Sequence, residues 1–204
     1  MSGEPKEVEA KFLARDPGIF RALGRLKTLG RFRLLRAALE RQENRYLDTE
    51  DLRLRQARAV LKLRRTGSKR EVTFKREIGY RAGVSERIEV SGPQALLRAR
   101  KITGSRPFKE ILNLRTRRRS LIFAAGRERI ELDLDRVEVR RASGGTARYA
   151  EAELENLSAS EIHFREALTE LKHLFPKGLR PSRLPKVEIG LRLLKGKTKK
   201  GRDR

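Results

Sequence analysis

Charged and apolar residues alternate in short runs along most of the chain, and a period of two is the pattern of a β-strand with one dry and one polar face. From Glu7 to Phe12, the residues Glu7, Glu9 and Lys11 share one face while Val8, Ala10 and Phe12 share the other. Leu61 and Leu63 alternate with Lys62 and Arg64, and Val72 and Phe74 with Thr73 and Lys75. Leu112 and Leu114 alternate with Asn113, Arg115 and Arg117; Ile130, Leu132 and Leu134 with Glu131, Asp133 and Asp135; Ala150, Ala152 and Leu154 with Glu151, Glu153 and Glu155. A seventh strand is expected around Ser85 to Val90. Ser143, Gly144 and Gly145 supply a turn that pairs the last two long strands as a hairpin. The alternation changes phase between Leu134 and Val137, which predicts a bulge near Asp135 and Arg136.

Three helices fit between the strands. Asp16 caps the first, with Pro17 at its first turn and Gly30 beyond its end, and Ile19, Phe20, Leu23 and Leu26 form its apolar stripe. Ser91 to Ile102 reads as a second. Ser158 and Glu161 have capping-box spacing before a third, whose Ile162, Leu168, Leu171, Leu174 and Phe175 recur at helical spacing until Pro176. His163 and His173 stand ten positions apart, too far to form a ligand pair on one helix, and read as surface or packing residues. From Lys195 onward the chain is basic with no apolar face. That divides it into one domain, 1–194, and a solvated, disordered tail, 195–204.

Lys and Arg number 51 against 27 Asp and Glu, a net charge of +24, so phosphate is the obvious partner class. No cysteine is present, which excludes disulfides, thiolate metal sites and thiol nucleophiles and fits a reducing compartment. No run approaches the ~18 apolar residues of a membrane span, and the start lacks the apolar core of a signal peptide, so a cytoplasmic protein without membrane contact is expected. Neither a GxxxxGK[ST] loop nor HExxH, GxSxG or CxxC occurs.

The polar faces are sorted by sign. Glu7 and Glu9, Glu131 and Asp133, and Glu151 and Glu153 give acidic strands; Lys62 and Arg64, Lys75, and Arg115 and Arg117 give basic ones. Facing outward, such faces only keep a sheet soluble. Facing inward in a closed sheet, they set hard carboxylate oxygens for Mg²⁺ or Mn²⁺ beside cations for phosphate oxygens.

The order of the motifs bears on that choice. Glu7, Glu9 and Lys11 resemble the ExExK signature of the CYTH superfamily, the triphosphate tunnel metalloenzymes. RYLDTEDLRLRQARAVLKLRRTG is similar to the segment that ends in an LRLRR-type strand, with Lys62 where Arg is more usual and Arg64 matching. Val72 to Lys75 resembles LTxK, Arg115 and Arg117 the K/R-x-R strand, Glu131 to Asp133 the ELD strand, Glu151 to Glu155 ExELE, and PKVEIGL with Lys186 the closing SKxxxGL. Pro185 departs from the usual Ser, and Arg87 stands where many members carry the first Glu of an ExE strand.

The resemblance implies an α+β fold: a closed, eight-stranded antiparallel β tunnel with flanking helices, binding a triphosphate and Mg²⁺ or Mn²⁺. It gives Glu7, Glu9, Asp133, Glu151 and Glu153 to the metal, with Glu9 also needed for turnover. Lys11, Lys62, Arg64, Arg115, Arg117 and Lys186 go to phosphate. Lys75 is placed near the attacking water, where a lowered pKa would let it accept a proton. Three activities fit: hydrolysis of inorganic triphosphate or another short triphosphate, a class IV type adenylyl cyclase, or a binding module that holds polyphosphate or nucleic acid through its excess positive charge. Aromatics at 5% with no Trp leave a base-recognition pocket few parts, which favours hydrolysis. Oligomeric state stays open.

Overall fold

The computed structural model describes residues 6–16, 18–140 and 145–200, the side chains of 196–200 excepted. Eight antiparallel strands close into a barrel: β1 (Lys6–Ala14), β3 (Phe32–Asp48), β4 (Ala59–Thr66), β5 (Lys69–Arg81), β6 (Val84–Ser91), β7 (Lys109–Ala125), β8 (Glu128–Arg140) and β9 (Thr146–Asn156). They are ordered β1-β6-β5-β4-β3-β7-β8-β9, and β9 pairs back onto β1. Two short strands attach at the edges, β2 (Thr28–Leu29) to β3 and β10 (Leu179–Ser182) to β1. All seven strands expected from alternation are present; β3, the longest together with β7, is the eighth.

The helices are α1 (Ile19–Leu23), α2 (Arg53–Gln56), α3 (Pro93–Thr103), α4 (Glu161–Leu174) and α5 (Lys186–Lys200). α1 is a short turn ended by Gly24, well before Gly30, and Asp16 accepts a hydrogen bond from the Gly18 N–H instead of heading a long helix. Pro17 lies outside the described residues. The cap of α4 is Ser160, whose hydroxyl accepts from the His163 N–H, while Ser158 donates to the Arg127 carbonyl. α5 continues through Lys200, and residues 201–204 of the expected tail lie outside the described residues. His163 pairs with Glu128 at 2.7 Å, a surface role. No helix is long and apolar enough to cross a membrane among the described residues.

No bulge occurs at Asp135 and Arg136. Both ladders of β8 keep one register throughout, and the irregularities fall at Leu34/Arg36 and Tyr46/Leu47 of β3 and at Glu77/Gly79 of β5. The change of phase has another cause: which face of β8 is covered changes along the strand. Glu131, Asp133, Asp135, Val137 and Val139 all point inward, and Ile130, Leu132, Leu134, Arg136, Glu138 and Arg140 all point outward. On the first half α1 and α4 cover the outside, packing Phe20, Phe164 and Leu168 on Ile130, Leu132 and Leu134. On the second half α5 fills the inside, packing Val187, Leu191 and Leu194 on Val137, Val139, Leu112 and Leu114. Apolar residues follow the covering helix from one face to the other. α2 and α3 cover Leu61 and Phe74 outside β4 and β5. Of the hairpin turn, Ser143 and Gly144 lie outside the described residues; Gly145 takes a φ of +91°, a conformation that suits glycine.

Candidate active site in the tunnel

Because α5 fills one end, the charged half of the barrel interior remains as a cavity of about 650 Å³. Its wall includes Glu7, Lys11, Lys62, Arg64, Lys75, Asp133 and Glu153 from strands read in the alternation, and Lys186 from α5, a helix the alternation did not predict. Glu9, Asp135 and Glu151 are buried on the same inner faces.

Arg115 and Arg117 are the exception. They pair with Glu138 and Arg136 on the outer face and are exposed, because the inward residues of β7 are Thr116, Arg118 and Ser120. Arg118 takes the place expected for them: its guanidinium holds Asp135 bidentately at 2.8 and 2.6 Å, reaches Glu153 at 3.0 Å and contacts Asp133. Five consecutive residues of β7, Arg115 to Arg119, include four arginines, so the motif can be set in either phase; register against Asp135 decides it.

The carboxylates fall into two groups. On β8 and β9, Asp135, Glu151 and Glu153 bring ligand atoms within 4.8 Å of one another, the only such group among the described residues. Lys186 reaches Asp135 at 3.1 Å and Glu153 at 2.6 Å and lies against Glu151 Oε1. That last contact has the distance of an ion pair without hydrogen-bond geometry, and neither oxygen of Glu151 accepts a hydrogen bond. Burial raises the Glu151 pKa against the pull of Lys186, whereas Glu153, between Lys11, Lys186 and Arg118, is held well below the usual range despite its burial. Asp133 is pushed up to about 7 by burial, which Arg118 only partly offsets. Asp135 was legible in the alternation, as the third acidic residue after Glu131 and Asp133, but the expected bulge would have turned it away.

On β1, Glu7 and Glu9 face the tunnel outside that group and are engaged by cations, with Lys11 shared between Glu9 and Glu153. Glu9 pairs with Arg87, and its other oxygen lies 3.1 Å from Lys11. Glu7 accepts from Lys75 at 2.5 Å through one oxygen, while its other oxygen is buried without a partner. Arg87 is thus an inward residue with a carboxylate to neutralise, a role that a glutamate at this position would not fill.

Lys75 does not meet the expectation of a lowered pKa. Burial works in that direction, but Glu7 at 2.5 Å and Glu89 at 3.0 Å outweigh it and raise the pKa above the ordinary lysine value. It is held as a cation and is unsuited to accept a proton. The lysine pushed well below its ordinary value is Lys62, by burial and by the neighbouring Lys75 and Arg64. No carboxylate lies within ion-pair distance of Lys62 among the described residues; Arg64 donates to the Asn44 side-chain carbonyl at 3.0 Å.

A model of the CYTH domain matches residues 5–183. The chain belongs to the CYTH family. Solved structures share its fold. A Hippeastrum adenylyl cyclase candidate described as having a dominant triphosphatase activity superposes with a TM-score of 0.66 at 19% identity, over 90% of this chain and 94% of that one. An adenylate cyclase candidate from Bacillus halodurans gives 0.58 at 21%, over 90% and 97%, and a Pyrococcus horikoshii OT3 protein 0.53 at 22%, over 91% and 98%. No curated protein sequence matches. The closed tunnel here is therefore the CYTH tunnel, with its acidic wall on β8 and β9 and its cationic wall on β4 and β5.

Proposed function

We propose that the protein is a divalent-metal-dependent phosphohydrolase that takes inorganic triphosphate or a related short triphosphate into the tunnel. The observation that carries this reading is a pair of incompletely met charges buried in one barrel: Glu151, whose oxygens accept no hydrogen bond although Lys186 lies against one of them, and Lys62, whose ammonium has no carboxylate within ion-pair distance among the described residues. Leaving a buried charge uncompensated costs several kcal/mol. A cation for the first and an anion for the second would remove both costs.

The donor set fits a hard cation, since carboxylate oxygens are the ligands that Mg²⁺ and Mn²⁺ prefer. Asp135, Glu151 and Glu153 would hold it, with Asp133 beside them. When bound, such an ion supplies charge neutralisation at the phosphoryl oxygens. Lys62, Arg64, Lys11, Arg118 and Lys186 would bind and orient the phosphates, and the arginines can fork two oxygens at once. Lys75, fixed as a cation by Glu7 and Glu89, would stabilise charge on the phosphoryl group, a contribution that needs position and no covalent nucleophile. Glu9 would keep Arg87 and Lys11 in place. The dominant triphosphatase activity ascribed to the Hippeastrum protein of the same fold supports the reading, and a cytoplasmic setting is part of it.

Phosphate release from tripolyphosphate, ATP and thiamine triphosphate, with Mg²⁺ or Mn²⁺ and with cyclic AMP followed in the ATP sample, tests it. Turnover that requires the metal and prefers a short triphosphate is expected. Full activity in excess EDTA would remove the metal from the reading, and cyclic AMP as the main product from ATP would make the protein a cyclase.

A further inference from the structure

The outside of the barrel is divided between two surfaces. Where α1 and α4 do not cover it, strands β4, β3, β7, β8 and β9 form a depression of about 970 Å³ whose lining holds seven arginines, two glutamates and no lysine. Two cross-strand rows account for most of these charges.

In the first row, residues directly opposite one another read Arg65, Glu43, Arg115, Glu138 and Arg148, so the sign alternates from strand to strand. The row is knit by ion pairs, Arg65 to Glu43 at 2.5 Å and Arg148 to Glu138 at 2.8 Å. Two residues further along each strand the second row reads Arg41, Arg117 and Arg136, three cations directly opposite one another with no acid between them. Arg41 and Arg117 are exposed and form no ion pair with any described residue, while Arg136 also lies 5.5 Å from the ring centre of Phe20. Like charges directly opposite in a sheet are destabilising. The neighbouring row shows that this sheet accommodates alternating signs, so solubility gives no reason for three arginines abreast.

We propose that the row Arg41, Arg117, Arg136 is the contact line for a single-stranded nucleic acid, whose phosphodiesters neutralise it. Charge complementarity calls for a polyanion, and two features select this one. All the cations are arginine, whose planar guanidinium forks phosphate oxygens and also stacks on base faces, whereas lysine would serve a bare phosphate chain as a point charge. Leu39, 81% exposed, projects from the same face of β3 two residues before Arg41. An apolar side chain beside the arginine row has a use against a base and none against a polyphosphate, which carries no apolar surface. The three strands of the row span roughly 10 Å, enough for two or three phosphates laid across them. This inference is independent of the reaction in the tunnel.

Fluorescence anisotropy of a labelled oligouridylate, titrated with the full chain over a salt series, tests the proposal. Arg41→Gln/Arg117→Gln should weaken binding about tenfold or more and lower the salt slope by about 1.4, about 0.7 for each phosphate of a single strand that no longer meets a guanidinium. Arg21→Gln/Arg25→Gln removes the same charge from the exposed side of the α1 region and should change affinity by less than about twofold. Equal losses in the two double variants would make the binding diffuse and overturn the site. Saturating tripolyphosphate at matched ionic strength should leave the oligonucleotide bound, because the row lies outside the tunnel; displacement would move the contact into the tunnel and overturn the proposal. Long-chain polyphosphate that binds as tightly, with the same dependence on Arg41 and Arg117, would overturn the choice of nucleic acid.

Discussion

Arg118 donates to both oxygens of Asp135, Nε to Oδ1 at 2.8 Å and a terminal nitrogen to Oδ2 at 2.6 Å, across adjacent strands deep in the barrel. Asp135 is fully buried, and its carboxyl is held below the usual range because Arg118 and Lys186 outweigh the effect of burial. Arg118→Ala should therefore destabilise the protein by about 3 kcal/mol, the cost of leaving a buried charge short of its partner. Arg117→Ala, one residue away on the opposite face, should stay within about 0.5 kcal/mol. Urea titrations of the two variants make the comparison, and a larger loss for Arg117→Ala would mean that the strand sits in the other phase.

Lys75 is bracketed by Glu7 and Glu89, which keep it charged across the neutral range. Lys75→Arg should retain a measurable share of tripolyphosphate turnover, and Lys75→Gln should lose at least about tenfold in kcat/KM, near 1.4 kcal/mol of transition-state stabilisation. Neither change should remove a limb of the pH-rate profile. A Lys75→Gln variant that loses its acid limb, with Lys75→Arg inactive, would identify a proton acceptor.

Seven strands could be read from alternation because each has one face packed on a helix or the core and the other polar, turned toward the tunnel in most of them and toward solvent where α5 fills the inside of β7. β3 could not. Its Leu34, Leu35, Ala37, Ala38 and Leu39 follow no period of two, and Leu, Ala, Arg and Glu are helix formers. Only long pairing with β7 on one side and β4 on the other makes it a strand. The same limit explains the two site residues that moved. Four arginines in five positions of β7 leave the phase of that strand undetermined until Ser120 is seen opposite Asp133. The exchange of covered faces along β8, which resembles a bulge in sequence, depends on where α4 ends its coverage and α5 begins.

Glu155 offers a pH test of the acidic wall. Burial pushes its pKa up to about 7, with Glu7 adding to the shift and Lys75 opposing it, against an ordinary value of 4.5. The folded state then holds a proton that the unfolded chain releases between pH 4.5 and 7, so stability falls as pH rises through that window and levels off above it. Glu155→Gln removes the titration. In EDTA, the variant should match the parent near pH 4 and exceed it at pH 8 by on the order of 2 kcal/mol. Denaturant midpoints for both proteins across this range measure the difference; parallel curves would show that Glu155 ionises normally.

Gly190 marks how closely α5 enters the end of the barrel. A Cβ built there would lie 2.6 Å from Leu112 Cδ2 and 3.1 Å from Val139 Cγ1. Leu112 and Val139 are almost wholly buried and packed by Val187, Leu191 and Leu194, so neither side chain has space into which it can turn. Gly190→Val should cost about 2 kcal/mol by overpacking, since a β-branched residue brings little of the helix propensity by which alanine would offset the strain. The effect should also reach the site, because Lys186 heads the same helix and is fixed there by its contacts with Asp135 and Glu153. A lifted α5 would withdraw that ammonium from the acidic wall, so KM for tripolyphosphate should rise in Gly190→Val at temperatures where the variant remains folded. A variant destabilised by this amount with unchanged KM would show that the start of α5 holds its place without the packing at Gly190.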